Sequence, residues 1–317
     1  MTSRDSSLKI VALGGGHGLA AALRALKTIT NDLTAVVGVS DNGGSSGRLR
    51  AEFDVIPPGD LRMALIALCS DSEHGRMWAD VLQHRFSGDG QLSGHAVGNL
   101  LITSLWQQNH DIISGLDAVC DLLEAQGRVL PLSLQPLDVV ADVEQSDGKL
   151  STVFGQVAVA TAPGTIRNLR FEQKTAKVCS QAIEAINSAD VIVMGPGSWY
   201  TSVVNHLLLK DLAQALIEAK AKKILITNLA SQTGETQFFT PAKHLVVLHD
   251  MAPELKFDLL VVDTKNASPE FELAAELISG NILVADVCKN GTTDTHDETL
   301  LANVLSNYLE LSKSKEG

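Results

Sequence analysis

The amino-acid sequence predicts an α/β protein with a Rossmann-like, doubly wound and mostly parallel sheet. Short runs of Val, Ile and Leu alternate along the chain with longer stretches that have helical spacing. The composition agrees, because 45% of the 317 residues are hydrophobic while only 4% are aromatic. Aliphatic residues of this kind are typical of parallel strands covered by helices. Three of the apolar runs also end in glycine-rich loops, and such sheets bind ligands beyond the carboxyl ends of their strands.

The apolar runs give the expected strands in chain order. The first, Lys9–Leu13, leads through a glycine-rich loop into a helix over Leu19–Leu26. Further strands are expected at Leu33–Val39, Asp190–Met194, Lys223–Thr227, Leu259–Asp263 and Ile282–Ala285. Helical spacing predicts helices over Asp60–Leu68, Gly75–Arg85, Val97–Gln107, Ile112–Ala125, Val178–Asn187 and Asp297–Leu311.

The segment from about residue 128 to residue 171 differs from the rest of the chain. β-branched residues, proline and the turn sequence Ser146-Asp147-Gly148 indicate a β-rich insertion that contains hairpins. We therefore expect one α/β domain over residues 1–317, with this insertion inside it.

The charge, the cysteines and the apolar runs of the chain exclude several classes of partner, site and location. The formal net charge of −12 disfavours nucleic acid and anionic membranes as partners, because both repel an acidic chain. Four separated cysteines form no CxxC pair, so neither a zinc site nor a redox motif is indicated. The polar start Met1–Lys9 has no apolar region of a secretory signal, and no apolar run is long enough to cross a bilayer. A cytoplasmic protein without membrane insertion is expected.

The first glycine-rich loop is a candidate anion site. It follows a strand and opens a helix, so its backbone amides and the helix dipole attract negative charge. The loop departs from a dinucleotide fingerprint, because Leu19 stands where the third glycine belongs, and it has no Walker lysine. The alternative is a tight turn without a ligand. The candidate residues are Gly14, Gly15, Gly16, His17 and Gly18.

The second glycine-rich stretch follows the second strand and is the most informative. Its glycines and serines form poor regular structure and a good cradle for an oxyanion. Arg48 is expected to clamp a phosphate through its planar guanidinium. Asp41 is placed to bind a ribose or a metal, or else only to cap the turn. The candidate residues are Asp41, Asn42, Gly43, Gly44, Ser45, Ser46 and Arg48.

Three later segments supply further candidates, each with a structural alternative. Asp60 either caps a helix or holds Mg²⁺ with Arg62 facing phosphate. His95 begins a helix, where its pKa is lowered, and it either contacts a ligand or is a structural histidine. Asn99 either reads a ligand or hydrogen-bonds within the fold. The loop after the strand at Asp190–Met194 repeats the strand–glycine–helix arrangement, and its candidates are Gly195, Gly197, Ser198 and Thr201.

Taken together and in this order, the motifs resemble those of the YvcK (gluconeogenesis factor) family. That family is a branch of the superfamily that also contains CofD, the 2-phospho-L-lactate transferase. The resemblance covers nearly the whole chain, from Lys9 to the His296-Asp297 segment. The motifs that carry it are Gly14–Gly18, Asp41–Arg50, Pro57–Arg62, Gly94–Ile102 and Gly195–Ser202.

The resemblance implies a cytoplasmic protein that binds a UDP-sugar such as UDP-N-acetylglucosamine. It also implies a role that links carbon metabolism to cell-wall synthesis and cell shape. Relatives usually carry a second aspartate where Asn42 stands and an asparagine where Met63 stands. Both differences favour binding over catalysis, so we expect a ligand-sensing regulator without an assigned catalytic residue or cofactor. A homo-oligomer, a dimer in the simplest case, and an unidentified regulatory protein partner are expected as well.

Two other functions stay open at the level of sequence. A CofD-like transferase would move a phospholactyl-type group from a nucleotide carrier, with Asp41 and Asp60 holding Mg²⁺ against the diphosphate. An NAD-dependent oxidoreductase would use the first glycine loop and Asp41. It has the least support, because Gly43–Gly47 occupies the segment where a second helix normally begins.

Overall fold

The computed structural model describes residues 5–232, 236 and 239–316, and within these ranges ten strands form two sheets. The strands are β1 (Asp5–Gly14), β2 (Thr30–Val37), β3 (Arg128–Pro131), β4 (Val139–Glu144), β5 (Leu150–Phe154), β6 (Thr165–Phe171), β7 (Val191–Met194), β8 (Lys222–Ile226), β9 (Leu259–Asp263) and β10 (Ile282–Ala285).

Twelve α-helices lie in the described ranges. They are α1 (Gly16–Leu26), α2 (Gly44–Phe53), α3 (Pro58–Ala67), α4 (Glu73–Gln83), α5 (Val97–Asn109), α6 (Ile112–Leu122), α7 (Gln156–Thr161), α8 (Ser180–Ser188), α9 (Lys210–Glu218), α10 (Pro241–Met251), α11 (Pro269–Ala275) and α12 (Glu298–Glu316). A π-helical turn at Trp199–Val203 and a 3₁₀ turn at Val204–Leu208 lie between β7 and α9. None of the helices in the described ranges is long and apolar enough to span a membrane.

The main sheet has seven parallel strands in the order β10-β9-β8-β7-β1-β2-β3. From β1 the chain builds outward through β2 and β3, and it then returns to β7 and builds outward on the other side. The strand order therefore reverses between β1 and β7, which confirms the expected Rossmann-like, doubly wound sheet. Leu13 pairs with Val36 on one side and with Met194 on the other, so the three strands end level with one another.

The core lies on both faces of this sheet. The centre of β1, from Ile10 to Leu13, is at most 2% exposed, as are Val191–Met194 of β7. A central parallel strand is buried on both faces, which explains why these segments are continuous apolar runs rather than alternating ones. On one face, α1 packs against α3 and α12. Leu19, Leu23 and Leu26 of α1 are buried there.

The β-rich segment is divided between two sheets. Its first strand, β3, pairs with β2 at the edge of the main sheet. The other three strands form a separate antiparallel sheet in the order β5-β4-β6. The short helix α7 connects β5 to β6, and the sequence pattern does not predict it.

The second glycine-rich stretch differs from the prediction. Its sequence predicts poor regular structure, but α2 begins at Gly44 and runs to Phe53. Tertiary contacts stabilise it, because Ser45 and Ser46 are buried and the Ser46 hydroxyl accepts a hydrogen bond from Gly59 N at 3.0 Å. A second helix thus does begin shortly after Asp41, so the glycine-rich segment does not count against an oxidoreductase.

The first turn of α1 and the loop after β7 approach each other too closely for a side chain. A methyl group at Gly18 would lie 2.5 Å from the carbonyl oxygen of Pro196 and 2.6 Å from Cα of Gly197. We expect Gly18→Ala to lower the free energy of unfolding by roughly 1–3 kcal/mol, because backbone must move to admit the methyl group. Urea denaturation followed by circular dichroism measures this change.

The control for this prediction is Gly280→Ala, since a methyl group at Gly280 meets no atom within 4 Å. Equal denaturation midpoints for the two variants would contradict the close approach.

Candidate functional site

A cavity of about 570 Å³ lies beyond the carboxyl ends of β1, β2, β7 and β8, at the point where the strand order reverses. Its walls come from parts of the chain that are far apart in sequence. The lining residues are Gly15, Gly16, His17, Gly18, Gly38, Ser40, Asp41, Asp60, Gln156, Pro196, Gly197, Ser198, Thr201, Ser202, Asn228, Leu229, Ala230, Ser231, Gln232, Asp294 and His296.

The loop between β1 and α1 forms one wall. Gly15 is the N-cap residue of α1, and Gly16 opens the helix with a φ of +60°. A methyl group at Gly15 would lie 2.6 Å from Asp60 Oδ2 and 3.1 Å from Ser202 Oγ, so it would displace side chains that surround the cavity. The first turn of α1 contains no acidic residue. The positive end of the helix dipole therefore lies at the cavity wall without an acidic residue in the same turn, which favours an anion there.

The loops after β7 and β8 form the opposite wall and are fixed to each other. The Asn228 side chain accepts a hydrogen bond from Gly197 N at 3.0 Å and donates one to Gly197 O at 2.7 Å. Gln232 Oε1 accepts a hydrogen bond from Trp199 N at 3.0 Å. These amide side chains pair with backbone groups that would otherwise lack partners, and this wall is therefore preorganised before any ligand binds.

Two carboxylates lie in the floor of the cavity. Asp41 Oδ1 accepts a hydrogen bond from Gly43 N at 2.9 Å, as the turn-capping alternative requires, and the residue also lines the cavity. Burial raises the pKa of Asp60 to about 7, and the nearby charge of Asp41 acts in the same direction. Gly16 N–H and Arg62 partly oppose this shift. Near neutral pH, Asp60 is thus poised between its neutral and charged forms.

Four of the predicted ligand-binding side chains instead form a buried chain of hydrogen bonds. Arg62 Nε donates to Asn99 Oδ1 at 2.9 Å, and Asn99 Nδ2 donates to Ser45 Oγ at 3.0 Å. Ser45 Oγ lies 2.9 Å from His95 Nδ1. Burial, aided by the Arg48 charge, lowers the pKa of His95, and burial lowers the pKa of Arg62 to about 10. This chain joins α2, α3 and α5, which corresponds to the structural alternative for His95 and Asn99.

Arg48 and Asn42 also bind other parts of the protein. Arg48 donates to the carbonyl oxygens of Gln91 at 3.0 Å and Ser93 at 2.7 Å. Asn42 Oδ1 accepts a hydrogen bond from Val157 N at 3.0 Å, at the start of α7. The phosphate clamp expected from Arg48 has no counterpart in this cavity, because its guanidinium orients the loop before α5.

The predicted residues thus fall into two groups. Those that line the cavity are Gly15, Gly16, His17, Gly18, Asp41, Asp60, Gly197, Ser198 and Thr201. Those that do not are Gly14, Asn42, Gly43, Gly44, Ser45, Ser46, Arg48, Arg62, His95, Asn99 and Gly195.

Several side chains that line the cavity are not among the predicted site residues. The most distant in sequence are Gln156 of α7, and Asp294 and His296 from the segment before α12. His296 pairs with Cys288 in an isolated antiparallel bridge, and this pairing carries it back to the sheet edge. Burial lowers the pKa of His296 to about 4, so its ring is neutral at pH 7. Its Nε2 has no hydrogen-bond partner among the described residues. The sequence around His296 contains no recognisable motif, so the sequence does not predict that this histidine lines the cavity.

Comparison with known proteins identifies the family. A family model described as 2-phospho-L-lactate transferase CofD matches residues 10–292. A relative from Mycobacterium tuberculosis is 45% identical over 304 residues, which cover 93% of this chain and 89% of the relative. A protein from Listeria innocua named "Gluconeogenesis factor" is 39% identical over 268 residues, or 84% of this chain and 81% of that protein.

The chain belongs to the CofD-like gluconeogenesis factor family. A solved structure agrees with this assignment. The crystal structure of a UPF0052 family protein from Bacillus halodurans superposes with a TM-score of 0.84 at 32% identity, and the match covers 96% of this chain and all of that one. The family assignment thus rests on both sequence and fold.

The raised pKa of Asp60 makes stability depend on pH. Because the folded protein binds this proton more tightly than the unfolded chain, the contribution of Asp60 is present below about pH 4 and is lost as pH rises towards 7. We expect Asp60→Asn to raise the free energy of unfolding at pH 8 by roughly 2 kcal/mol and to change it little at pH 4. Urea denaturation at both pH values measures this effect.

Asp89→Asn is the matched control, since Asp89 is exposed in the loop before α5. A pH dependence that is the same in both variants would rule out Asp60 as its source.

The position of Arg48 gives a second test. We expect Arg48→Ala to leave the affinity for a nucleotide diphosphate unchanged while it loosens the loop that contains Gln91 and Ser93. Isothermal titration measures the affinity. Hydrogen exchange measures the protection of the backbone amides in the loop, which is expected to decrease. A loss of about 1.5–3 kcal/mol in binding would instead establish Arg48 as a phosphate ligand.

Proposed function

We propose that this member of the family binds a UDP-sugar such as UDP-N-acetylglucosamine in the cavity. As a cytoplasmic regulator, it then communicates the occupied state to a protein partner. The observation that carries the proposal is the cavity itself, which lies at the topological switch point and is walled by glycine loops at a helix N-terminus. In doubly wound sheets this is where nucleotides bind. The volume of about 570 Å³ is within the range typical of small-molecule pockets.

Backbone amides rather than basic side chains supply the attraction for phosphate in this proposal. Among the described residues, no lysine or arginine lines the cavity. The diphosphate is expected at the start of α1, where Gly15, Gly16 and Gly18 let it approach the backbone. Hydroxyl and amide side chains of the opposite wall, such as Ser202 and Ser231, suit the sugar and the base.

Sensing is favoured over catalysis by the way the polar side chains are used. The Ser45–His95 contact resembles a nucleophile paired with a base, but it lies outside the cavity and Asn99 also donates to Ser45. The pair is therefore engaged inside the protein rather than presented to a ligand. The name of the Listeria innocua relative supports a role in carbon metabolism. A link to cell-wall synthesis and cell shape is part of the same proposal.

A CofD-like transferase is the second candidate, because Asp41 and Asp60 lie together in the cavity floor. Two carboxylates fit Mg²⁺, which commonly takes its other ligands from water and substrate phosphates. Bound there, Mg²⁺ would supply charge neutralisation for a diphosphate. Asp41 and Asp60 would hold the ion, and the amides of α1 would orient the phosphate.

Isothermal titration with UDP-N-acetylglucosamine, UDP, GDP and NAD, each with and without Mg²⁺, separates these functions. We expect metal-independent binding of UDP-N-acetylglucosamine, with intact ligand recovered afterwards, because the amides of the glycine loops need no metal. Preference for GDP with Mg²⁺, abolished by Asp41→Asn, would support the transferase instead. Preference for NAD would support an oxidoreductase.

Ala230→Trp places a large side chain in the wall of the cavity and is expected to weaken UDP-sugar binding at least tenfold. The control is Gly280→Trp, because Gly280 is exposed and a side chain there meets no atom within 4 Å of its Cβ. Undiminished binding to Ala230→Trp would place the ligand outside this cavity.

A further inference from the structure

The strand β5 is an open edge of the antiparallel sheet. Its register with β4 places Val153 opposite Ala141 and Ser151 opposite Val143. Hydrogen bonds from Gly155 N to Val139 O and from Gln145 N to Lys149 O show that the odd-numbered residues are the ones hydrogen-bonded to β4. In an antiparallel pair these positions alternate. The N–H and C=O groups of Leu150, Thr152 and Phe154 therefore point to the open edge.

The side chains at this edge are apolar and exposed. Leu150 is 66% exposed and Phe154 is 60% exposed, and Val157, just beyond the strand, is 46% exposed. No charged residue and no proline occurs between Leu150 and Val157. Natural proteins usually protect an open edge with lysine, proline or a covering element, because bare edges pair with other chains. Residues 150–154 carry none of the protective side chains.

We propose that β5 pairs with β5 of a second copy of this chain, antiparallel and about a two-fold axis at Thr152. The two three-stranded sheets then join into one continuous sheet across the dimer. Thr152 faces Thr152 of the partner copy, and Leu150 faces Phe154 of the partner copy. All outward backbone groups of Leu150, Thr152 and Phe154 gain partners, because the three pairs occupy hydrogen-bonding positions.

The self-complementarity of the segment selects a second copy over another partner. A two-fold axis requires that each residue face an acceptable residue of the same segment. Here the two exposed apolar side chains of the strand, Leu150 and Phe154, face each other across the axis, which removes both from water. Lys149 at the end of the strand would face Gly155 of the partner copy, and Lys149 is already paired with Asp147. No like charges face each other.

The proposed interface adjoins the ligand cavity through α7. Gly155 follows β5 directly, and the next residue, Gln156, lines the cavity. Val157 N donates to Asn42, which holds this end of α7 against the loop after β2. Pairing at β5 therefore fixes a segment that also forms part of the cavity wall.

Analytical ultracentrifugation of the full chain tests the proposal. We expect the wild type to be a dimer and Phe154→Lys to raise the dimer dissociation constant at least tenfold, because each lysine would face Leu150 of the other copy. Leu273→Lys is the matched control, since Leu273 is 69% exposed on α11, and it is expected to remain dimeric. Thermal melting of all three proteins checks that the fold is intact.

Disulfide cross-linking tests the register. Thr152→Cys places two thiols across the axis with Cα atoms about 5.5 Å apart, within the range that a disulfide spans. Lys149→Cys is the control, because its two copies would lie about 20 Å apart in this register. A covalent dimer from Thr152→Cys but not from Lys149→Cys is expected. A monomeric wild type, or a dimer that is insensitive to Phe154→Lys and does not cross-link through Thr152→Cys, would overturn the proposal.

Discussion

The close contact between the first turn of α1 and the loop after β7 sets the geometry of the whole site. Gly18 meets the backbone of Pro196 and Gly197 where no side chain fits, and β1 and β7 are neighbours in the sheet. The two halves of the doubly wound sheet are therefore held together at the point where the cavity opens. Asn228 extends this contact to β8 by binding both backbone groups of Gly197. The two walls formed by the loops after β1, β7 and β8 take their position from this contact.

The sequence predicts the elements of the main sheet well because their physical signal is local. β9 has the predicted bounds, since a strand buried on both faces is a continuous apolar run between polar turns. β10 also has the predicted bounds, although as the edge strand it is only partly buried. For the segment at Gly44–Phe53, by contrast, the local sequence does not predict the structure that forms. Its glycines and serines favour a loop, and the helix α2 depends on contacts with distant residues such as Gly59. The division of residues 128–171 between two sheets depends likewise on pairing with β2.

The candidate site was predictable only in part, for a related reason. Glycine loops after strands mark a helix N-terminus, so Gly15, Gly16, Gly18 and Gly197 line the cavity as expected. The sequence does not show whether a polar side chain points into a cavity or forms hydrogen bonds inside the fold. Asn99 and Arg62 satisfy each other inside the protein, whereas Gln156 and His296 line the cavity without any recognisable motif. The motifs that resemble the family thus include residues that build the site as well as residues that line it.

The cavity has no contiguous sequence of its own. Its walls come from segments near residues 15, 41, 60, 156, 197, 228 and 296, and these segments belong to both halves of the sheet. A ligand that spans them adds cross-links between parts of the chain that otherwise meet only through the core. A bound ligand would therefore stabilise the contact between the two halves of the fold. The ligand-bound protein would resist local unfolding at the centre of the sheet before it binds any partner.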